Sequence, residues 1–304
     1  MCGFINDIVD SVVDIVDDVV DIVVDVVDDV VGWLVPKPDV PDFGELNEEQ
    51  QAKGILVNKF TANAHIPVVY GTRKVGGNVV FLQTSGTDNQ YLYMALVLSE
   101  GEINGVSSIF VNDNQVTLSG ALNDGTQRTV ASSDVNFFDE SSLITVEAHF
   151  GTDSQSASSL LSALRFEWNA DKFGSLPSVQ AIIQGRKVYN PNLDGTVTGG
   201  SGSHRKDDST TWEYSDNPIL QLLDYLRNER FGMGIANSYF DSNFADWQTA
   251  TDVCDTNITP FSGASQIDLM DSHAVVDTSR KAIDNVKAFV KGSRSYLNFS
   301  GGKY

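Results

Sequence analysis

Basic charge is scarce in this 304-residue chain, where 20 Lys and Arg face 41 Asp and Glu for a formal net charge of −21. A protein that holds nucleic acid neutralises phosphates with a surplus of Lys and Arg, so sequence-specific nucleic-acid binding is excluded. Cysteine is almost missing. Cys2 and Cys254 stand alone, which leaves no disulfide framework and no zinc cluster and makes an intracellular assembly site the simpler reading. The four histidines, His65, His149, His204 and His273, lie far apart without ligand spacing and read as packing or surface residues. HExxH, GxSxG and Cys-His signatures are lacking as well, which removes the usual marks of a hydrolase.

What is present begins with a repeat. Residues 7–31 hold nine aspartates and no basic residue, so they supply −9 of the net charge and leave −12 for the rest. The segment reads as sevens opening at Asp7, Asp14, Asp21 and Asp28, and a period of seven points to helix. At about 100° per residue the aspartates and Ser11 share an arc of about 120°, while Val and Ile cover the other two-thirds. Ile8, Val12, Ile15, Val19, Ile22, Val26 and Val30 form a face for a partner or a membrane. Valine is a weak helix former, so this helix needs something to hold it. One reading is a packing helix or coiled coil against another subunit. The other is membrane insertion, since residues 7–31 would span about 37 Å as a helix, and then only as a bundle with the aspartates around water. Without a positive n-region a signal peptide is not expected, and the same acids disfavour anionic lipid surfaces. Gly32 ends the segment, and Pro36, Pro38 and Pro41 impose an extended linker to about Glu45.

From Asn47 the pattern changes to short strands. Residues 64–71, 73–82, 91–98, 106–111, 115–118 and 144–150 read as strands, with Ser99 to Gly105, Asn112-Asp113-Asn114 and Asn123-Asp124-Gly125 as turns. A short helical stretch near Ser158 leads into strands at 163–168 and 179–189. The glycine-rich stretch 195–211 reads as an exposed, mobile loop. Helices follow: one capped by Asn217 with Ile219, Leu222, Leu223 and Leu226 inward and Gly232 as its stop, one over 244–255, and one over 278–291 with Ile283, Val286, Phe289 and Val290 inward. Residues 274–277 and 295–299 read as strands, and the glycine turn at 301–302 suggests chain continuing past Tyr304.

Candidate chemistry is thin. Glu100 with Glu102, Asp139 with Glu140, and Asp207 with Asp208 sit in polar turns that give a catalytic acid no burial, so they read as solvated loops. Asn190 to Gly195 has part of a calcium-loop rhythm, but Ser201 stands where position twelve needs Glu. Cys254 reads as an inert core thiol. Arg165, Lys172, Arg186, Lys187, Arg205 and Lys206 gather basic charge, either as solvated strand faces or as a contact with an acidic neighbour; Arg186 and Lys187 are the candidate subunit contact.

Three blocks, Ala95 to Gly105 (ALVLSEGEING), Gln184 to Pro191 (QGRKVYNP) and Asn217 to Gly234 (NPILQLLDYLRNERFGMG), resemble the lambda-type phage tail tip attachment protein J family, the central tail hubs of long-tailed phages. Residues 66–71 with 75–77, and 281–304, resemble further stretches in the same order, so the resemblance covers roughly residues 50–304. It implies an α+β, mainly β chain: a helix and linker at 1–45, first hub barrel strands at 46–90, an inserted β-rich domain at 91–157, return strands and loop at 158–211, and an α/β hub module at 212–304. It further implies a homotrimer of β-barrel hub domains that closes the tail tube at the virion's tail tip, beneath a distal tail protein and around the end of the tape measure protein. Such a hub assembles in the host cytoplasm and takes part in host attachment and DNA ejection. The acidic repeat would then lie near the axis with Asp7, Asp14, Asp18, Asp21, Asp25 and Asp28 facing the lumen, and could enter the host envelope. No enzyme activity, cofactor or metal is expected. The alternatives are an envelope-penetrating protein acting through the repeat and a cell-wall hydrolase.

Overall fold

The computed structural model describes residues 58–59, 64–87, 90–134, 144–162, 178–240 and 244–304. The N-terminal repeat, its linker, the strand expected at 163–168 and the acidic pair Asp139 and Glu140 lie outside the described residues. So do Arg165 and Lys172. Residues 51–304 form one compact unit, and the description below concerns it alone.

Thirteen short strands run through the described residues: β1 (Val68–Val69), β2 (Thr72–Val75), β3 (Asn78–Ser85), β4 (Tyr91–Val97), β5 (Ile103–Val111), β6 (Asn114–Val116), β7 (Thr126–Thr129), β8 (Thr145–Ala148), β9 (Val179–Val188), β10 (Glu213–Tyr214), β11 (Asn257–Ile258), β12 (Ile267–Asp268) and β13 (Val275–Val276). Four α-helices accompany them: α1 (Ser159–Ser162), α2 (Pro218–Arg227), α3 (Phe244–Cys254) and α4 (Ala282–Gly292).

Strand β9 organises the largest sheet. It pairs antiparallel with β5 along one edge, and with β2 and then β10 along the other. β5 turns into β6 through Asn112 (φ 48°) and Asp113 (φ 66°), the left-handed pair that a two-residue hairpin matching strand twist requires. The turn expected at 99–105 is shorter than its residues suggested, because Ile103 to Gly105 already pair with β9. β3 and β4 form a separate ribbon, and β7 pairs with β8 beyond the Asp124-Gly125 turn. The expected barrel is not seen among the described residues. The strands form open sheets, the five-stranded one ending on β6 and β10, which continue to no other described strand.

Two cores meet across β1. Alternation along a strand sends Val68 and Tyr70 into one and Val69 into the other. The first gathers Ile219, Leu222, Leu223 and Leu226 of α2 with Phe244 and Trp247 of α3 and Val286 and Phe289 of α4. The second holds Val75, Ile103, Ile109, Ala181 and Ile183. β1 crosses β9 so closely that a Cβ on Gly185 would lie 2.1 Å from the Val69 carbonyl, and only glycine fits there.

Helix α2 follows its sequence signals at the start. Asn217 caps it by accepting from the Ile219 and Leu220 amides, and Pro218 takes the first position. Its end differs. Asn228 closes the helix after Arg227, and Gly232 lets the chain fold back over it, where a Cβ would meet the Tyr225 carbonyl at 1.8 Å. Ile283, expected inward, is 47% exposed because α4 packs through Asn285, Val286 and Phe289 instead. The strand expected at 295–299 does not form; a bridge between Ser300 and Lys303 frames the glycine turn, and Tyr304 packs on Phe299 and Phe240.

Candidate functional site

The candidate subunit contact, Arg186 and Lys187, sits at the C-terminal end of β9, and alternation sends the two side chains to opposite faces. The Arg186 guanidinium donates from Nε to Asp224 Oδ2 at 2.8 Å, and the Tyr70 hydroxyl donates to the same oxygen at 2.6 Å. One carboxylate thus ties β9 to α2 and to the residue that follows β1. Phe231 packs under the guanidinium at 5.2 Å from its ring centroid. Burial works against the Arg186 charge, but the Asp224 carboxylate and the Tyr70 oxygen outweigh it and hold the pKa above the usual arginine value. Burial, then the neighbouring Asp224 charge, pushes the Tyr70 phenol well above its ordinary range. Lys187 reaches Glu102 at 2.8 Å with about a third of each side chain exposed. Both basic residues therefore have partners inside the chain. Residue sense missed Asp224, although an acid set among Leu222, Leu223, Tyr225 and Leu226 on a buried helix was a readable sign of a buried ion pair.

A second polar knot anchors the glycine-rich stretch, most of which is exposed as expected. Asp194 is fully buried and accepts from the Tyr189 hydroxyl at 2.8 Å, from the Thr196 amide and hydroxyl, and from Arg205 at 3.2 Å. Burial opposes its charge, yet the Thr196 and Tyr189 hydrogen bonds and Arg205 hold its carboxyl below the usual range. His204 is also buried, takes the Asn190 amide on Nδ1 at 3.1 Å, and is pushed down by burial. The calcium-like stretch is thus an internally bonded turn, in which Asn190 caps the Asn192 amide. Asp207 and Asp208 serve turns as well, accepting from the Asn237 side chain and the Thr210 amide.

Of the other carboxylates, Glu100 pairs with Arg230 at 2.7 Å on the wall of a cleft of about 460 Å³ that also includes His65, Thr278 and Arg280. Asp216, Asp268 and Asp271 place one oxygen each within 4.8 Å of one another, the group among the described residues best spaced for a cation. Burial, then repulsion from Asp216 and Asp268, raises Asp271; burial with the same neighbours and Asp252 raises Asp255. Cys254 is buried, and burial with Asp255 beside it pushes the thiol up to about 11. The aspartates and the Val and Ile face of the repeat lie outside the described residues.

No family profile matches the chain. At 22% identity, 79% of the chain aligns with 31% of the baseplate hub protein pb3 of Escherichia phage T5, so it spans about a third of that relative's length. The relative is a T5 hub and not a lambda tip attachment protein, which supports the broader class of hub-type phage tail proteins. The likeness supports a structural component of a phage tail or baseplate.

Proposed function

We propose that the chain is the hub at the tip of a phage tail, a non-enzymatic virion protein that assembles in the host cytoplasm as a homotrimer closing the tail tube. The single observation that carries this reading is the similarity to a baseplate hub over 79% of the chain. The open sheets suit it, because β6 and β10 offer strand edges that a neighbouring subunit can cover. In this role the body contacts a distal tail protein and the tape measure protein, and the acidic repeat lies near the axis. Cryo-EM of the intact particle tests the proposal: a threefold ring of this chain at the tail tip is expected, and a peripheral monomer would overturn it.

A second reading rests on the width of the Val and Ile face in residues 7–31. Among the described residues no helix is long and apolar enough to cross a membrane, so envelope penetration would fall to the repeat. Leakage of dye from liposomes exposed to the full chain is expected on this reading, and intact liposomes would remove it.

A further inference from the structure

The acidity of this chain reverses at its C-terminal end. Residues 280–304 carry six basic side chains, Arg280, Lys281, Lys287, Lys291, Arg294 and Lys303, against the single acid Asp284. The fold turns most of them outward. α4 buries Asn285, Val286 and Phe289, which leaves Ile283, Asp284, Lys287, Ala288 and Lys291 on the opposite face, with Lys281 exposed before the helix and Arg294 exposed after it. Only two of these cations have a carboxylate within ion-pair distance among the described residues: Arg280 lies 3.7 Å from Asp277, and Lys287 lies 3.9 Å from Asp284. The face is a cationic stripe with apolar Ile283 and Ala288 set into it.

We propose that this face docks the aspartate-striped repeat, residues 7–31, of a second copy of the chain. Charge complementarity carries the argument, because the repeat is the largest block of one sign in the sequence and the stretch from Arg280 is the largest block of the other. Arg280, Lys287 and Arg294 recur every seven residues in the sequence, as Asp7, Asp14, Asp21 and Asp28 do, while Lys287 and Lys291 are the cations that α4 itself carries. Ile283 and Ala288 give the Val and Ile that flank the aspartates something apolar to meet. One such face covers only a fraction of the repeat's apolar two-thirds, so the repeats must also pack on one another, and that brings separate copies together. In this arrangement the aspartates face protein and not a lumen. A nucleic acid would have to accept the half-exposed Ile283 and approach a body that is otherwise strongly acidic, which makes it the weaker occupant. The proposal stands without the hub assignment.

Carbodiimide cross-linking, which joins a carboxylate to an amine in contact with it, tests this on the full-length chain. Unlabelled and ¹⁵N-labelled pools are mixed at about 1 M NaCl, where screening acts within about 3 Å, and returned to about 0.1 M, where it acts over about 10 Å. Links joining Lys287 or Lys291 to aspartates of residues 7–31 between light and heavy copies are expected, with several-fold fewer when salt is kept high. The double variant Lys291→Glu/Arg294→Glu keeps the Lys287 amine as reporter, and its mixed-isotope links should also fall several-fold while its circular dichroism stays unchanged. Links confined to a single copy, no links to the repeat, or undiminished links in the variant would each overturn the proposal. Retention of duplex DNA that the same variant abolishes would overturn it in favour of a nucleic-acid surface.

Discussion

Asp224 is the residue on which the fold's two halves depend. It accepts from Tyr70 and Arg186 at once, and its side chain is 4% exposed. A buried charge that loses its partner costs about 3–5 kcal/mol, whereas an exposed pair contributes about 0–1 kcal/mol. The two neighbouring basic residues of β9 should therefore respond differently to reversal. Arg186→Glu sets a carboxylate against Asp224 and is expected to lower the unfolding free energy obtained from urea curves by several kcal/mol, while Lys187→Glu, facing the partly exposed Glu102, should change it by less than about 1 kcal/mol. Equal losses in the two unfolding curves would mean that the Arg186 pair is not a structural tie. Only Lys187, by this argument, is available to a test of subunit contact that leaves the monomer folded.

Helix α2 shows at the scale of the element what the sequence could disclose. Its start was legible because Asn217, Pro218 and the leucine spacing are local signals, and the four residues expected inward are buried; burial in fact extends over all of Pro218 to Leu226, Gln221 and Asp224 included. Asn217 does more than cap, since its amide also donates to the Thr251 carbonyl and to Asp255 at the end of α3. Asn217→Ala should cost about 1–2 kcal/mol for the cap alone. Asn217→Asp, which keeps the capping oxygen but brings a charge against Asp255, should recover only part of that in thermal melts; full recovery would reduce the residue to a cap. What was not legible depends on partners far away in sequence. The leucines around Asp224 hinted at a buried pair, but the choice of Arg186 as its partner, the buried Asp194 beneath a polar stretch, and the outward turn of Ile283 are set by packing, for which composition and period leave no mark. β7 and the first residues of β5 were missed because Thr126 to Thr129 and Ile103 to Gly105 form strands through their pairing, not through any apolar alternation of their own.

For the whole molecule, five buried or bonded carboxylates among the described residues fall into two sets with opposite effects of pH. Asp255 and Asp271 are raised by burial and by their acidic neighbours, so the folded chain binds their protons more tightly than the unfolded one, and stability rises as pH falls through their folded pKa values. Glu147, Asp194 and Asp277 are lowered because hydrogen bonds outweigh burial, so the stability they contribute is present above the ordinary carboxylate range and is lost as pH falls through their folded values. The melting temperature should therefore climb on mild acidification from neutrality, pass a maximum just above the ordinary carboxylate range, and fall beyond it. Asp268→Asn, which removes a neighbour that both raised acids share, should shrink the climb; an unchanged profile would show that the acidic group does not titrate as a unit.

The pairing of β1 with β13 sets Val68 opposite Val276, about 200 residues later in the chain. A growing polypeptide cannot close that contact until nearly all of this sequence has left the ribosome. Closure between such distant partners is slow, so folding should lag synthesis and expose the first core in the meantime. Meanwhile β4, Tyr91 to Val97 without a charge or a proline, has the local hairpin with β3 to cover one edge, and its apolar side chains stay uncovered until the body closes. Yield on expression should accordingly depend on temperature and chaperone supply more than on the stability of the finished protein.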